Sequence, residues 1–145
     1  MKFKTPCFVR VEDAEERKRL LTWLQDIGYS LYQSVRELSY PIVCCNMIDD
    51  EPGNAYGEHE EELVGASHAC DCGTDIELFK ALAAMNDEND REQWFVCIKQ
   101  PAIWRFCLPK AGDMVLHNTA NAQFIDCENF RKATAEEIVE HFKNR

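Results

Sequence analysis

The densest group of chemistry-bearing side chains in the 145-residue chain is His68-Ala69-Cys70-Asp71-Cys72, with His59 a short way upstream. Zinc takes Cys and His tetrahedrally, and structural sites usually space ligands C-x2-4-C with a second pair at a distance. The spacing here is H-x-C-x-C, which is tighter. In an extended chain, residues i, i+2 and i+4 point to one side, so His68, Cys70 and Cys72 could present three donors together. Cys44 or Cys45 could supply a fourth if the fold brings them near, since no matching second pair is evident in the sequence. The plainer expectation is a strand or loop in which Cys72 and Gly73 lead into a helix cap.

A second group is Trp104-Arg105-Phe106 together with Trp94-Phe95. If the two runs are adjacent strands of a hairpin, Trp104 and Phe106 share one face and Arg105 takes the other. Arg offers a planar fork suited to phosphate or carboxylate, and aromatic faces stack bases. The chemistry expected is binding of a small anionic or nucleotide-like ligand. Arg105 would be the anion contact, Trp104 or Trp94 the stacking platform, and Arg10 and Arg36 the co-liganding residues. Against this stands the plain alternative that the aromatics are core and Arg105 is surface.

Other chemistries find less support. A cysteine nucleophile needs a nearby His base and an orienting group, and no local signature surrounds any of the eight cysteines. There is no G-x-S-x-G, P-loop, G-x-G-x-x-G or H-E-x-x-H. The acidic run from Asp49 does not frame an EF-hand loop, which requires Gly at its sixth position. Starting at Asp49 the sixth residue is Asn54, and starting at Asp50 the eighth is Gly57. The sequence therefore names no catalytic residue and no cofactor.

The net charge of −10 is local. Residues 49–62 carry seven acids and no Lys or Arg, and residues 86–92 carry four acids and one Arg. The other 124 residues balance at 15 acids and 15 bases. A general nucleic-acid-binding surface is thus not expected, and residues 49–62 read as an acidic, solvated loop insertion. No stretch approaches the roughly 20 apolar residues that span a membrane, and the charged start does not read as a signal peptide. The expectation is a cytoplasmic protein, where cysteines stay reduced. Cys7, Cys44, Cys45, Cys97 and Cys107 lie in apolar runs and read as buried thiols.

The elements that would position these residues begin with three helices. Asp13–Glu16, Thr74–Glu77 and Thr134–Glu137 each have the capping-box spacing, in which an N-cap side chain and a Glu three residues on satisfy each other's backbone donors. The first helix is expected over Ala14–Ile27, ending at Gly28, with Leu20, Leu21, Leu24 and Ile27 inward and residues 15–19 solvated. The second is expected over Asp75–Met85 and the third over Ala135–Phe142. Strand-like runs rich in β-branched and aromatic residues fall at Pro6–Val11, Leu31–Val35, Ile42–Ile48, Gln93–Lys99, Ile103–Leu108, Met114–His117 and Gln123–Asp126. Residues 99–102 and 109–113 read as turns. Short spacings favour antiparallel pairing, so the fold class expected is a single α+β domain, a largely antiparallel sheet with about three helices packed on it.

Three segments, 5–29, 72–96 and 130–142, resemble small uncharacterised proteins of gut Bacteroides-type bacteria and their phages and prophages. The segments carry caps and core, so the resemblance implies a shared fold and brings no site residues. It implies a non-catalytic binding protein in the bacterial host cytosol. Such a protein could counter host defence by sequestering a small anionic or nucleotide-like ligand or by docking on a host protein. Two other readings stand beside it: a zinc-stabilised domain centred on His68, Cys70 and Cys72, and a homo-oligomeric structural protein.

Overall fold

The computed structural model describes residues 3–31, 42–48, 51–56, 69–100, 109–117, 125 and 128–144. The fold is α+β, with three helices among the described residues and mostly antiparallel strand pairing, as expected. The strands are shared between two sheets, one in each of two compact units, residues 1–89 and 90–145.

The first unit runs β1 (Cys7–Arg10), α1 (Ala14–Ile27), β2 (Ser30–Leu31), β3 (Ile42–Ile48), β4 (Glu51–Tyr56), β5 (Cys70–Asp71) and α2 (Ile76–Ala83). Its sheet has the order β2-β4-β3-β1-β5. β1 is antiparallel to β3 and parallel to β5, while β4 is antiparallel to β3 and parallel to β2. In β1 and β3 the apolar runs are continuous rather than alternating, the pattern of strands covered on both faces. Accordingly Cys7, Phe8, Val9, Ile42, Val43, Cys44 and Cys45 are all buried. Phe8, Ile42 and Cys44 form one cluster, with Ala69 packed against it. Alternation puts Cys7, Val9, Val43 and Cys45 on the opposite face.

α1 has the bounds its cap signals demand. Asp13 accepts from the Glu15 amide at its start, and Gly28 closes it at φ 119°, a left-handed conformation that suits glycine. Its inward stripe is the expected Leu20, Leu21, Leu24 and Ile27. Arg17 departs from the expected solvated face. It is only 7 % exposed, because its guanidinium donates to the Val11 and Glu12 carbonyls at 2.7 Å each.

α2 starts one residue later than its capping-box spacing implied. Asp75, not Thr74, is the N-cap, accepting from the Leu78 amide, because an Asp75 amide bond to the Cys72 carbonyl sets the turn one residue on. After the helix, buried Asn86 accepts from the Glu88 and Asn89 amides and donates to the Ala84 carbonyl. One amide side chain thus anchors the start of the acidic 86–92 segment.

β4 is the largest departure. Residues 51–56 lie inside the run expected as an acidic loop, yet they form a strand with β3 on one side and β2 on the other. Strand formation here is decided by backbone pairing rather than by charge. Pro52, which has no amide hydrogen to give, falls outside the two-residue stretch facing β2 and next to a register shift between Asn46 and Ile48, the positions where sheets tolerate proline.

The second unit is β6 (Trp94–Cys97), β7 (Met114–Leu116), β8 (Phe130–Lys132) and α3 (Ala135–Lys143). Its sheet is antiparallel throughout, in the order β7-β6-β8. Among the described residues β7 and β8 flank β6; the Ile103–Leu108 run, expected beside the Trp94 strand, lies outside them. Phe95, Cys97 and Phe130 form its core cluster, with Val115 and Ile125 packed against it. α3 buries Ile138 and Phe142, and its capping box is complete in both directions between Thr134 and Glu137.

Candidate functional site

The described residues of the second unit form an open groove of about 650 Å³, lined by Gly112, Met114, Glu136, Glu137, Glu140, His141 and Asn144. Two elements build it. On one side is the turn before β7, closed by the Asp113 amide on the Lys110 carbonyl and the Lys110 amide on the Asp113 carboxylate. Gly112 sits there at φ 95°, a conformation that disfavours any side chain. On the other side is α3, whose residues 136, 137, 140, 141 and 144 recur at the i, i+4 spacing of one helix face.

Trp94 lies beside His141, one of the groove's lining residues. Its ring lies 5.1 Å from His141 and 5.6 Å, edge-on, from Phe142. The indole expected as a stacking platform is half-buried, beside the histidine that lines the groove.

The groove's carboxylates differ in their commitments. Glu137 receives both Arg131 guanidinium nitrogens, at 2.7 and 2.8 Å, and also caps the Thr134 amide. The Arg131 bonds chiefly, aided by the Thr134 amide, hold its carboxyl down at about 2. Glu140 accepts from the Asn144 amide at 2.9 Å. Glu136 and Glu140 stand one turn apart on the exposed side of the helix, a like-charge i, i+4 pair that is mildly destabilising when nothing neutralises it.

Arg10, a predicted anion contact, is engaged within the first unit. Its guanidinium forks onto Asp71 at 2.7 and 3.1 Å and lies 5.5 Å from the Phe8 ring centre. The same Asp71 accepts from the Gly73 amide, and these bonds, Arg10 first, hold its carboxyl below the usual range. Arg105, Trp104, Arg36, His59, His68 and Cys107 lie outside the described residues.

Of the predicted metal donors, Cys70 ends up half-buried in β5 and Cys72 buried just after it. Among the described residues no group of three or more His, Cys, Asp or Glu could hold a metal ion. What the sequence reading missed is a line of thiols across the first sheet. Cys7 pairs with Cys45 on β3 and with Cys70 on β5 in register. The Cys7 and Cys45 sulfurs are 3.3 Å apart, and the Cys72 thiol donates to the Cys70 carbonyl at 3.9 Å while its amide donates to the Phe8 carbonyl at 2.9 Å, beside Cys7. Burial, reinforced by the neighbouring thiols, pushes the Cys7 thiol well up, whereas the hydrogen bonds of Cys7 and Cys70 bring Cys72 down to about 5. Tyr29 stands beside Cys45 at the far end, its hydroxyl donating to the Ala83 carbonyl at 2.7 Å.

No family model, curated protein or solved structure matches this chain. Among the described residues no helix is long and apolar enough to cross a membrane.

Proposed function

We propose that this chain is a non-catalytic binding protein that docks on a partner presenting basic side chains, and that the groove between α3 and the turn before β7 receives one of them. The observation that carries the reading is the composition of that groove. Glu136 and Glu140 form a like-charge pair in it, Met114 and His141 line it, and the Trp94 ring lies 5.1 Å from that of His141. A lysine or arginine inserted there relieves the repulsion between the carboxylates and lays its methylene stem along apolar surface.

This groove is acidic and suits a cation; the anion site expected at Arg105, Trp104 and Arg36 lies outside the described residues. The resemblance to proteins of Bacteroides-type bacteria and their phages supports a host protein as the partner class, and the acidic groove supports a basic surface on it. The acidic 49–62 segment would add long-range attraction to it, felt as an on-rate that falls with salt.

Titration with a tetra-arginine peptide, followed by amide and methyl NMR, tests this. The expected result is shift changes centred on Gly112, Met114 and His141, with affinity falling roughly tenfold in the Glu136→Gln, Glu140→Gln double variant, the equivalent of about 1.4 kcal/mol. Equal binding by the double variant, or equal binding of a tetra-glutamate peptide, overturns it.

A further inference from the structure

We propose that Cys72, Cys7 and Cys45 form an oxidation site, in which a hydroperoxide reacts at Cys72 and the oxidation is captured as a disulfide of Cys7. The proposal rests on placement and is independent of the binding groove. Three segments that are remote in sequence bring their thiols to one place: the Cys7 and Cys45 sulfurs are 3.3 Å apart, Cys7 faces Cys70 in the β1–β5 register, and the Cys72 amide bonds the Phe8 carbonyl next to Cys7. A structural role for a small buried residue would not require neighbouring thiols, and Cys44, on the other face of the same strand, packs among Phe8 and Ile42 instead.

The three thiols differ in access. Cys7 is 0 % exposed and Cys45 1 %, while Cys72 is 5 % exposed and lies in the turn that follows β5. Neighbouring hydrogen bonds favour the ionised form of both Cys72 and Cys45, and Cys72 is the more exposed of the two; the thiolate is the form that attacks peroxides. Its sulfur attacks the peroxide oxygen, so an S–O bond forms as the O–O bond breaks, and a water or alcohol leaves after taking up a proton. The sulfenic acid so formed is then attacked by the Cys7 sulfur. An S–S bond forms, the S–O bond breaks, and the hydroxyl leaves as water with the Cys7 proton. Two thiols are oxidised by two electrons and one hydroperoxide is reduced. The Cys45 sulfur, 3.3 Å from Cys7, can then attack the Cys7 sulfur, giving Cys7–Cys45 and returning Cys72 as a thiol.

The test is disulfide mapping of the whole protein after brief treatment with stoichiometric hydrogen peroxide and alkylation of the remaining thiols. A Cys7–Cys72 or Cys7–Cys45 bridge, reversed by dithiothreitol and formed while Cys44 and Cys97 stay alkylatable, is the expected result. In the Cys7→Ser variant the oxidation should stop at a sulfenic acid on Cys72 that dimedone traps. Cys7 recovered as a thiol in the wild-type protein, or oxidation spread evenly over Cys44 and Cys97, overturns the proposal, and the wild-type mapping decides this even if the variant does not fold.

Discussion

Arg10 and Asp71 hold each other through two hydrogen bonds, 2.7 and 3.1 Å long, across the parallel strands β1 and β5. Both side chains are partly open to solvent, so water screens their attraction. Asp71→Asn should lower the unfolding midpoint only slightly, and added salt should erase most of the difference. Because the folded carboxyl is harder to protonate than the unfolded one, its contribution is complete above the ordinary carboxylate range. It is lost as the pH falls through the depressed value. Thermal melts of the two proteins should therefore converge on acidification.

Glu137 makes the corresponding case in the second unit. Its folded value of about 2 lies below the ordinary 4.5, so its stabilisation is full above about pH 4.5 and disappears towards about pH 2. Glu137→Gln should cost about 0.5–1 kcal/mol at neutral pH and almost nothing at the acid end. Thr134→Ala should cost about 1 kcal/mol without the pH dependence, since it removes the other half of the capping box. Urea melts at several pH values distinguish the two.

Tyr29 is 3 % exposed, stacks on Phe3 at 3.9 Å and donates to the Ala83 carbonyl at the end of α2. Tyr29→Phe keeps the ring and strands the carbonyl, at a cost of about 1–2 kcal/mol. Tyr29→Leu also loses the stack and should cost more. Equal denaturation midpoints for wild type and Tyr29→Phe would show that the hydroxyl does not matter.

Phe79 and Ile138 are fully buried, one in α2 and one in α3. Phe79→Ala should cost about 3–5 kcal/mol and Ile138→Val about 0.5–1.5 kcal/mol, reflecting the volume each leaves unfilled. Differential scanning calorimetry gives both values, and a near-neutral Phe79→Ala would contradict the packing described.

The helices were legible because their information is local. Asp13 and Thr134 accept from amides two and three residues on, and the Gly28 amide donates to carbonyls three and four residues back, so sequence spacing is enough to place α1 and α3. Thr74 and Asp75 show the limit: both can cap, and the choice is made by the hydrogen bond to the Cys72 carbonyl. β5 and β8, two and three residues long, are too short for periodicity to register. β4 was hidden by Pro52-Gly53, a turn signal, within a longer acidic run. The thiol line and the Arg10–Asp71 pair were illegible for one reason, that their members are 38 and 61 residues apart and only strand register joins them. Trp94 was visible as a residue of interest, but its partners His141 and Phe142 lie on a helix at the far end of its unit.

The parallel pairing of β1 with β5 also sets an order of events. A chain must close a loop before any contact across it is rewarded, and distant pairings come late and slowly. β1 can join α1 and then β3 early, whereas its outer edge waits for Cys70–Asp71 to arrive from 61 residues away. Until then a newly made chain offers an apolar strand with unpaired amides and carbonyls, the kind of edge on which chains aggregate. A strand of only two residues thus completes this sheet and closes the period in which that edge is bare.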